Sequence, residues 1–395
     1  MIVAILNTSL YSRYVYAYGY YIYAGCIGLL VMRELVYGRY EKKRILMIFI
    51  GFILSVIALI FAHAALFPMT IIFVVLAGYT DNNTILKTAL TVTIVTTSIV
   101  VLSCMGGLIE NAFYNQFGRV RYALGFRYVL CLPTYFFNIV AIICYLQQEK
   151  TKTITLFIFG VISTAIYAAT DSRLTYYTTI LIVLFVLYYK IKYRIARDPK
   201  RISRLWALCV PVFFVSAIFS VYMHIYYNPA IKWHYTLNRI LGDRLNIGHR
   251  SYLMYGIRFL GNPDIRWIGQ SLDVRGVKHE GVVTYVDNLY FNLLQQYGIL
   301  AFTIIIVVCT IMIYNCYRQN DELLMAILVI LALHGLIDGI VQQLQYNTFL
   351  HFIYYLCMGN RLRKNRKIDR PHTSIGAEGL IGIMRKALVL NRFRH

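Results

Sequence analysis

Charged side chains are scarce. Only 14% of the 395 residues are Asp, Glu, Lys or Arg, where soluble globular domains carry roughly 25%. A chain of this length can bury a large core, but it cannot cover that core with so little charge, so soluble enzymes and nucleic-acid modules are excluded. Acidic residues are the rarest class, 17 against 39 basic ones, and the net charge of +22 asks for a membrane explanation. No C-x-x-C occurs, and nearly all eight cysteines lie in apolar segments. That pattern argues against a zinc site or a disulfide framework. No P-loop or nucleotide-binding fold is visible, and no inverted repeat of the kind many secondary transporters carry. The N-terminus lacks a basic region and a small-residue cleavage site, so no removable signal peptide is expected.

What is abundant is hydrocarbon: 59% of the residues are hydrophobic, gathered in windows about 17–25 residues long, the length that crosses a bilayer. The expected fold class is all-α, a polytopic transmembrane helical bundle of about 11 spans (10–12). Spans are expected at 14–32, 45–61, 64–79, 88–105, 129–146, 154–170, 174–189, 206–223, 289–314, 322–340 and 345–359. Pro68 and His63 interrupt the third, so 45–79 also reads as one span plus a re-entrant segment.

Placing the 33–44 loop in the cytoplasm and alternating from there collects 26 basic residues inside and 13 outside, as the positive-inside rule asks. The N-terminus is then external and the C-terminus cytoplasmic. The chain divides into a transmembrane domain, 1–360, and a tail, 361–395. The tail has basic residues along an apolar stripe, expected as an amphipathic helix on the anionic inner leaflet.

Of the 13 outer basic residues, 11 are Arg and only Lys232 and Lys278 are Lys. The positive-inside rule does not distinguish the two. Arg has a planar fork that grips phosphate or carboxylate bidentately, whereas Lys is a hydrated point charge. Eight outer acids offer salt bridges as the structural alternative. Two outer loops are long, 106–128 and 224–288. In the second, Leu237, Ile240, Leu241, Leu245, Leu253, Ile257 and Leu260 recur at helical spacing. This predicts amphipathic helices lying along the outer membrane face, over the bundle.

Several constellations carry possible chemistry. Arg244 and Arg250 flank His249, a set suited to an anion such as a diphosphate, or to salt bridges with Asp243 and Asp264. Arg119, Arg121 and Arg127 precede the fifth span and either bind a ligand or snorkel to headgroups. Asp287 opens the ninth span, as a helix cap or as a general base. His334, Asp338 and Gln342 follow one another at i, i+4, i+8, which places them on one face near the outer end of the tenth span. A charge there costs roughly 2.5–3.5 kcal/mol and calls for a partner. Asp171-Ser172-Arg173 makes a tight turn with an ion pair. The seven tyrosines from Tyr11 to Tyr23 spread around a helix and fit an aromatic belt.

Taken in order, several motifs resemble bacterial O-antigen, capsule and exopolysaccharide polymerases of the Wzy type. They are Arg121-x-x-x-Gly125-Phe126, Thr170-Asp-Ser-Arg173, an Arg-rich external loop, Trp267-Ile-Gly269-Gln270, Asp287-Asn288-x-Tyr290 and Leu293-Leu-x-x-Tyr297-Gly298-Ile299. The spacings Arg250 to Gly261 and Arg258 to Gly269 match an Arg-x(10)-Gly pattern of that family. The chain departs from it where Thr134, not Asn, follows Pro133.

The resemblance implies a GT-C-like bundle in the bacterial cytoplasmic membrane. It implies an inverting, metal-independent glycosyltransferase without cofactor that joins undecaprenyl-diphosphate-linked repeat units on the outer face. Arg244, Arg250, Arg127, Arg121, Arg173, Arg258 and Tyr290 would bind substrate. His249, Asp287, Asp338 or His334 would be the catalytic base. Implied partners are the lipid-linked oligosaccharide donor and acceptor, membrane lipids, a flippase and a chain-length regulator, with no nucleic acid. A ligase-like glycan transferase is the nearest alternative, and a polysaccharide flippase or transporter the alternative of another class.

Overall fold

The chain is helical almost throughout. The computed structural model describes residues 1–38, 41–63, 66–116, 119–195 and 201–357. All of these belong to one compact unit, Met1–Asn360, and the expected tail helix of 361–395 lies outside the described residues. In chain order the elements are α1 (Ile2–Asn7), α2 (Ser12–Tyr37), α3 (Lys42–Phe61), α4 (Leu66–Leu76), α5 (Asn82–Met105), a hairpin of β1 (Phe113–Gln116) and β2 (Arg119–Tyr122), α6 (Cys131–Gln147), α7 (Thr153–Thr170), α8 (Arg173–Ile195), α9 (Val212–Ile225), α10 (Lys232–Ile240), α11 (Arg244–Tyr255), α12 (Leu289–Arg318), α13 (Glu322–Gly335) and α14 (Phe352–Cys357).

Eight helices among the described residues are long and apolar enough to cross a membrane: α2, α3, α5, α6 with its short extension to Lys150, α7, α8, the run Arg204–Ile225 that ends in α9, and α12. Three other expected spans hold shorter apolar helices. α4 has 11 residues and α13 has 14, about 17 and 21 Å at 1.5 Å per residue. Below the end of α13 the chain runs in short 3-10 turns, Gly339–Gln342 and Thr348–His351, before α14. Such backbone must be paired inside the protein, and here Asn138 of α6 bonds Thr348 twice, at 3.0 and 3.2 Å.

Polar side chains at the helix starts satisfy amide donors that have no intrahelical partner. Asp81 accepts from Thr84 N at 3.1 Å, Asn288 from Phe291 N at 2.9 Å and Asp321 from Leu324 N at 3.2 Å. α12 is kinked at Gly298 (φ 81°). The amide and carbonyl groups released there meet the loop: Asn262 N donates to Gln296 O, Ile299 N to Arg258 O and Leu300 N to Phe259 O, each at 3.1 Å. A Cβ at Gly298 would stand 2.5 Å from Phe259 O, so only glycine admits this loop.

The bundle has two ends. At one, the start of α6, the α7–α8 turn, the end of α9, α10, α11, the start of α12 and the end of α13 come together, joined by bonds such as Arg121 Nε to Thr170 O (2.9 Å) and Asn288 Nδ2 to Leu336 O (2.6 Å). At the opposite end, Tyr145 donates to Asp321 (3.2 Å) and Trp206 to Glu322 (3.0 Å). α6 and α13 are the most enclosed helices, with Tyr135, Phe137, Ala141, Leu323, Leu324 and Ile327 fully buried. α2 by contrast buries only Ser12, Gly19 and Glu34, and Tyr14, Tyr16, Tyr18, Tyr20 and Tyr21 stand exposed around it.

Two sequence expectations change. The all-α reading has an exception: loop 106–128 contains the antiparallel hairpin, with Tyr114 opposite Arg121. His334, Asp338 and Gln342 do not share a helix face, because α13 stops at Gly335 and Asp338 turns back to accept from Ile340 N at 3.0 Å.

Candidate functional site

The polar cluster of greatest interest forms where four connections meet. α10 and α11 are joined by Leu241-Gly242-Asp243. Asp243, left-handed at φ 69°, accepts from Asn238 Nδ2 at 2.8 Å and from Asn246 Nδ2 at 3.3 Å, which fastens α10 to α11. α11 therefore begins with Arg244 pointing at α12. Its Nε donates to Asp287 Oδ2 at 3.0 Å and its Nη1 to Leu241 O at 3.3 Å. The two side chains of this ion pair are 23% and 25% exposed, so solvent-borne anions can reach them.

Asp287 does not cap α12. Asn288 does so, and it is held from both sides: Ser220 of α9 donates to its Oδ1 at 2.5 Å, and its Nδ2 donates to Leu336 O at 2.6 Å. With Asn288 in the cap position, Asp287 is left to face Arg244. On the other side, the Gly335-x-x-Asp338-Gly339 turn packs against the start of α12. A Cβ on Gly339 would lie 2.9 Å from Asp287 O, and one on Gly335 would lie 2.7 Å from a Leu289 methyl. The absence of both side chains lets Asp338 come near Asp287.

The electrostatics follow from this crowding. Burial pushes the Asp287 carboxyl up to about 6; Arg244 opposes the shift and the like charge of Asp338 adds to it. Asp338 is raised by burial and opposed by Arg244, by the amide of Ile340 and by Arg121. Tyr128 and Tyr285 flank the pair, their phenols raised by burial first and by the charge of Asp287 next. Two carboxylates sharing one guanidinium, with raised affinity for a proton, form an arrangement suited to general acid–base work. The guanidinium suits a phosphate or diphosphate oxyanion.

The remaining predicted residues fall elsewhere. Arg121 is buried on β2, bonded to Thr170 O and 3.5 Å from Ser172 Oγ. Its positive charge acts on Asp338, so it belongs to the rim of the cluster. Arg119 and Arg173 both pair with Asp171, at 2.7 and 3.4 Å. Arg127 binds protein carbonyls, Leu272 O through Nε (2.9 Å) and Nη2 (2.7 Å) and Asn7 O through Nη1 (2.9 Å), and so braces α1 against the long loop. Arg250 lies six residues beyond Arg244, about 120° away around α11. It is exposed and, among the described residues, reaches only Val283 O, at 3.4 Å. The two do not form a pair of forks. Arg258 pairs with Asp264 on the exposed loop.

His249 is turned away from the carboxylates. Its Nδ1 bonds His224 O at 2.9 Å, and its ring lies 5.9 Å from Tyr227. His334 is fully buried in α13, its ring 5.8 Å from Phe137, with neither ring nitrogen bonded among the described residues. Tyr290 is also fully buried, donating to Ala332 O at 2.7 Å, and so it ties α12 to α13.

Reasoning from the sequence did not single out Tyr128, Tyr285, Gly335 or Gly339, and it quoted Asn288 only within a motif, without a role. The flanking pattern Tyr285-Val-Asp287-Asn288 and the Gly-x-x-Asp-Gly spacing were the available signals. Compared with protein-family models, with curated proteins and with solved structures, the chain matches none.

Proposed function

We infer that this membrane protein is a polysaccharide polymerase, an inverting glycosyltransferase that joins oligosaccharide repeat units carried on undecaprenyl diphosphate. The observation that carries the reading is the half-open Arg244–Asp287 pair with Asp338 beside it, at one end of an apolar helical bundle. A lipid diphosphate arriving through the bilayer presents its charge at such an end, not at the midplane where transporters gather their charged groups. That position favours an enzyme over a flippase.

In this reading the bundle is GT-C-like with about 11 spans, in a bacterial cytoplasmic membrane, and the Arg244 end faces outward. The diphosphate of the donor displaces Asp287 from Arg244, which frees the carboxylate. A hydroxyl of the acceptor sugar attacks the anomeric carbon from the face opposite the diphosphate. The new C–O bond forms as the bond to the diphosphate oxygen breaks, with inversion. The hydroxyl proton passes to the carboxylate of Asp287, and Asp338 keeps that carboxylate basic through its like charge. The leaving diphosphate takes the bonding electron pair, and Arg244 stabilises the charge that develops. The tail 361–395 holds the inner leaflet, and a flippase and a chain-length regulator are the proteins that would work beside it.

Purified protein incubated with lipid-linked repeat units should yield a ladder of longer lipid-linked chains. Deletion of the gene should leave single repeats at the surface. Accumulation of unflipped units on the inner face would support the transporter instead and overturn this reading.

A further inference from the structure

α10 is built inside out. Its two most deeply buried side chains are polar: His234 and Asn238, one helical turn apart, are 2% and 5% exposed, with Leu237 packed beside Met223, Tyr227 and Leu245. His234 Nδ1 accepts from Asn228 N at 3.0 Å, and Asn238 holds Asp243 and the amide of Asn246. The other large apolar side chains face away. Trp233 is 51% and Ile240 75% exposed. Together with Ile231, Lys232, Thr236 and Leu237 they line an open groove of about 610 Å³. A water-facing helix carries the reverse pattern, apolar side in and polar side out.

α11, the next helix, turns Leu245 and Ile247 inward with Gly248 and Ser251, and exposes Leu253 and Met254 only in its last turn. Both helices read as amphipathic in the sequence, but they present their apolar residues differently. The position of α10 identifies what covers it. The membrane-length run Arg204–Ile225 ends seven residues before Lys232. Its last turn exposes the aromatic rings of Tyr222 and Tyr226, residue types that collect at the level of lipid headgroups. Lys232 and Arg239 are both exposed on α10. An apolar face with cations beside it matches the boundary between acyl chains and phosphates.

We propose that α10 is an interfacial helix seated in the lipid bilayer, with Ile231, Trp233 and Ile240 covered by acyl chains and with Lys232 and Arg239 among the phosphates. α10 leads through three residues into Arg244, so its depth in the lipid sets the depth of that guanidinium. The assignment does not depend on the reaction performed there.

The test uses the full-length protein in nanodiscs made with ordinary or brominated phosphatidylcholine and phosphatidylglycerol. Subtracting the emission of Trp233→Phe from that of the wild type isolates Trp233 from Trp206 and Trp267. Circular dichroism and a single size-exclusion peak establish that the variant is folded. The Trp233 component should lose most of its intensity in brominated lipid and resist aqueous iodide. A second variant, Ile240→Asp, should lift the helix and restore the emission. Quenching by iodide alone would show a water-exposed face, and quenching by neither would show a face covered by protein. Either result overturns the proposal.

Discussion

Two arginine–carboxylate pairs stand at opposite ends of this molecule, and they differ in what surrounds them. Arg44, at the start of α3, is enclosed: its side chain is 1% exposed and that of its partner Glu34 is 7%. Its Nε donates to Glu34 Oε1 at 2.7 Å, its Nη2 to the other carboxylate oxygen, and its Nη1 to the hydroxyl of Tyr354. The ring of Tyr354 also lies 5.0 Å from the guanidinium carbon. Arg244 is paired with Asp287 at 3.0 Å, but roughly a quarter of each side chain remains open, and a second carboxylate draws on the same guanidinium. The enclosed pair has exchanged water for a complete set of protein partners, and removing one member strands a buried charge. The open pair can exchange its protein partner for a ligand. Enclosure, more than the presence of an ion pair, separates a tie between helices from a candidate site.

The comparison breaks most sharply at Arg44. Arg44→Ala should cost about 3–5 kcal/mol of stability, seen as a lower Tm and a lower yield of monodisperse protein in detergent. Turnover per folded molecule should stay unchanged. Arg244→Ala should do the opposite, and a fall in Tm as large as that of Arg44→Ala would make the Arg244 pair structural as well.

Arg244→Lys keeps the charge and loses the fork. If Arg244 grips a diphosphate, losing one charge-assisted bond should remove about 1.5–3 kcal/mol, roughly 10- to 150-fold in turnover, with Tm preserved. Near-normal polymerisation in purified lipid-linked substrate would remove Arg244 from the proposed mechanism.

Acid should switch the open pair off first. Asp287 must be ionised to accept a proton, and its carboxyl is raised to about 6, so turnover should fall as pH drops through that value. The same shift makes its contribution to folding strongest below the ordinary carboxylate range, and that contribution is lost as pH rises through about 6. Asp338→Asn removes the like charge and should move the acid limb of the pH–rate profile to lower pH. An unmoved limb would show that the two carboxylates do not communicate.

The smallest effect belongs to Arg250. It is exposed, and its contact to Val283 O is long, so Arg250→Lys should change turnover by about fivefold at most, within the roughly 1 kcal/mol such surface contacts supply. A loss as large as that of Arg244→Lys would bring Arg250 back beside the ligand.

Much of this architecture is legible in the chain alone. The apolar windows at 88–105, 154–170 and 289–314 became α5, α7 and α12, because a run of hydrocarbon side chains long enough to cross lipid leaves the backbone little choice but to bond within itself. The helical spacing of 237–260 was also visible, as were Arg244, Asp287 and Asp338 as candidates, which the structure brings together. The hairpin in 106–128 was not, since four-residue strands carry too short a pattern to read. Neither was the end of α13 at Gly335, because an apolar run with period-compatible polar residues continues past it.

Partner choice was hidden for a different reason. Arg44 looked like one more cytoplasmic charge, Arg127 like a ligand donor or a headgroup anchor, and Asp287 like a cap or a general base. Arg44 bonds Glu34 and, 310 residues away, Tyr354; Arg127 and Asp287 find partners 145 and 43 residues away. Local composition determines which segments become helices, since hydrogen bonding and solvent preference act residue by residue. Which charge is enclosed and which left open depends on the segments that pack around it, and only the tertiary structure brings those together.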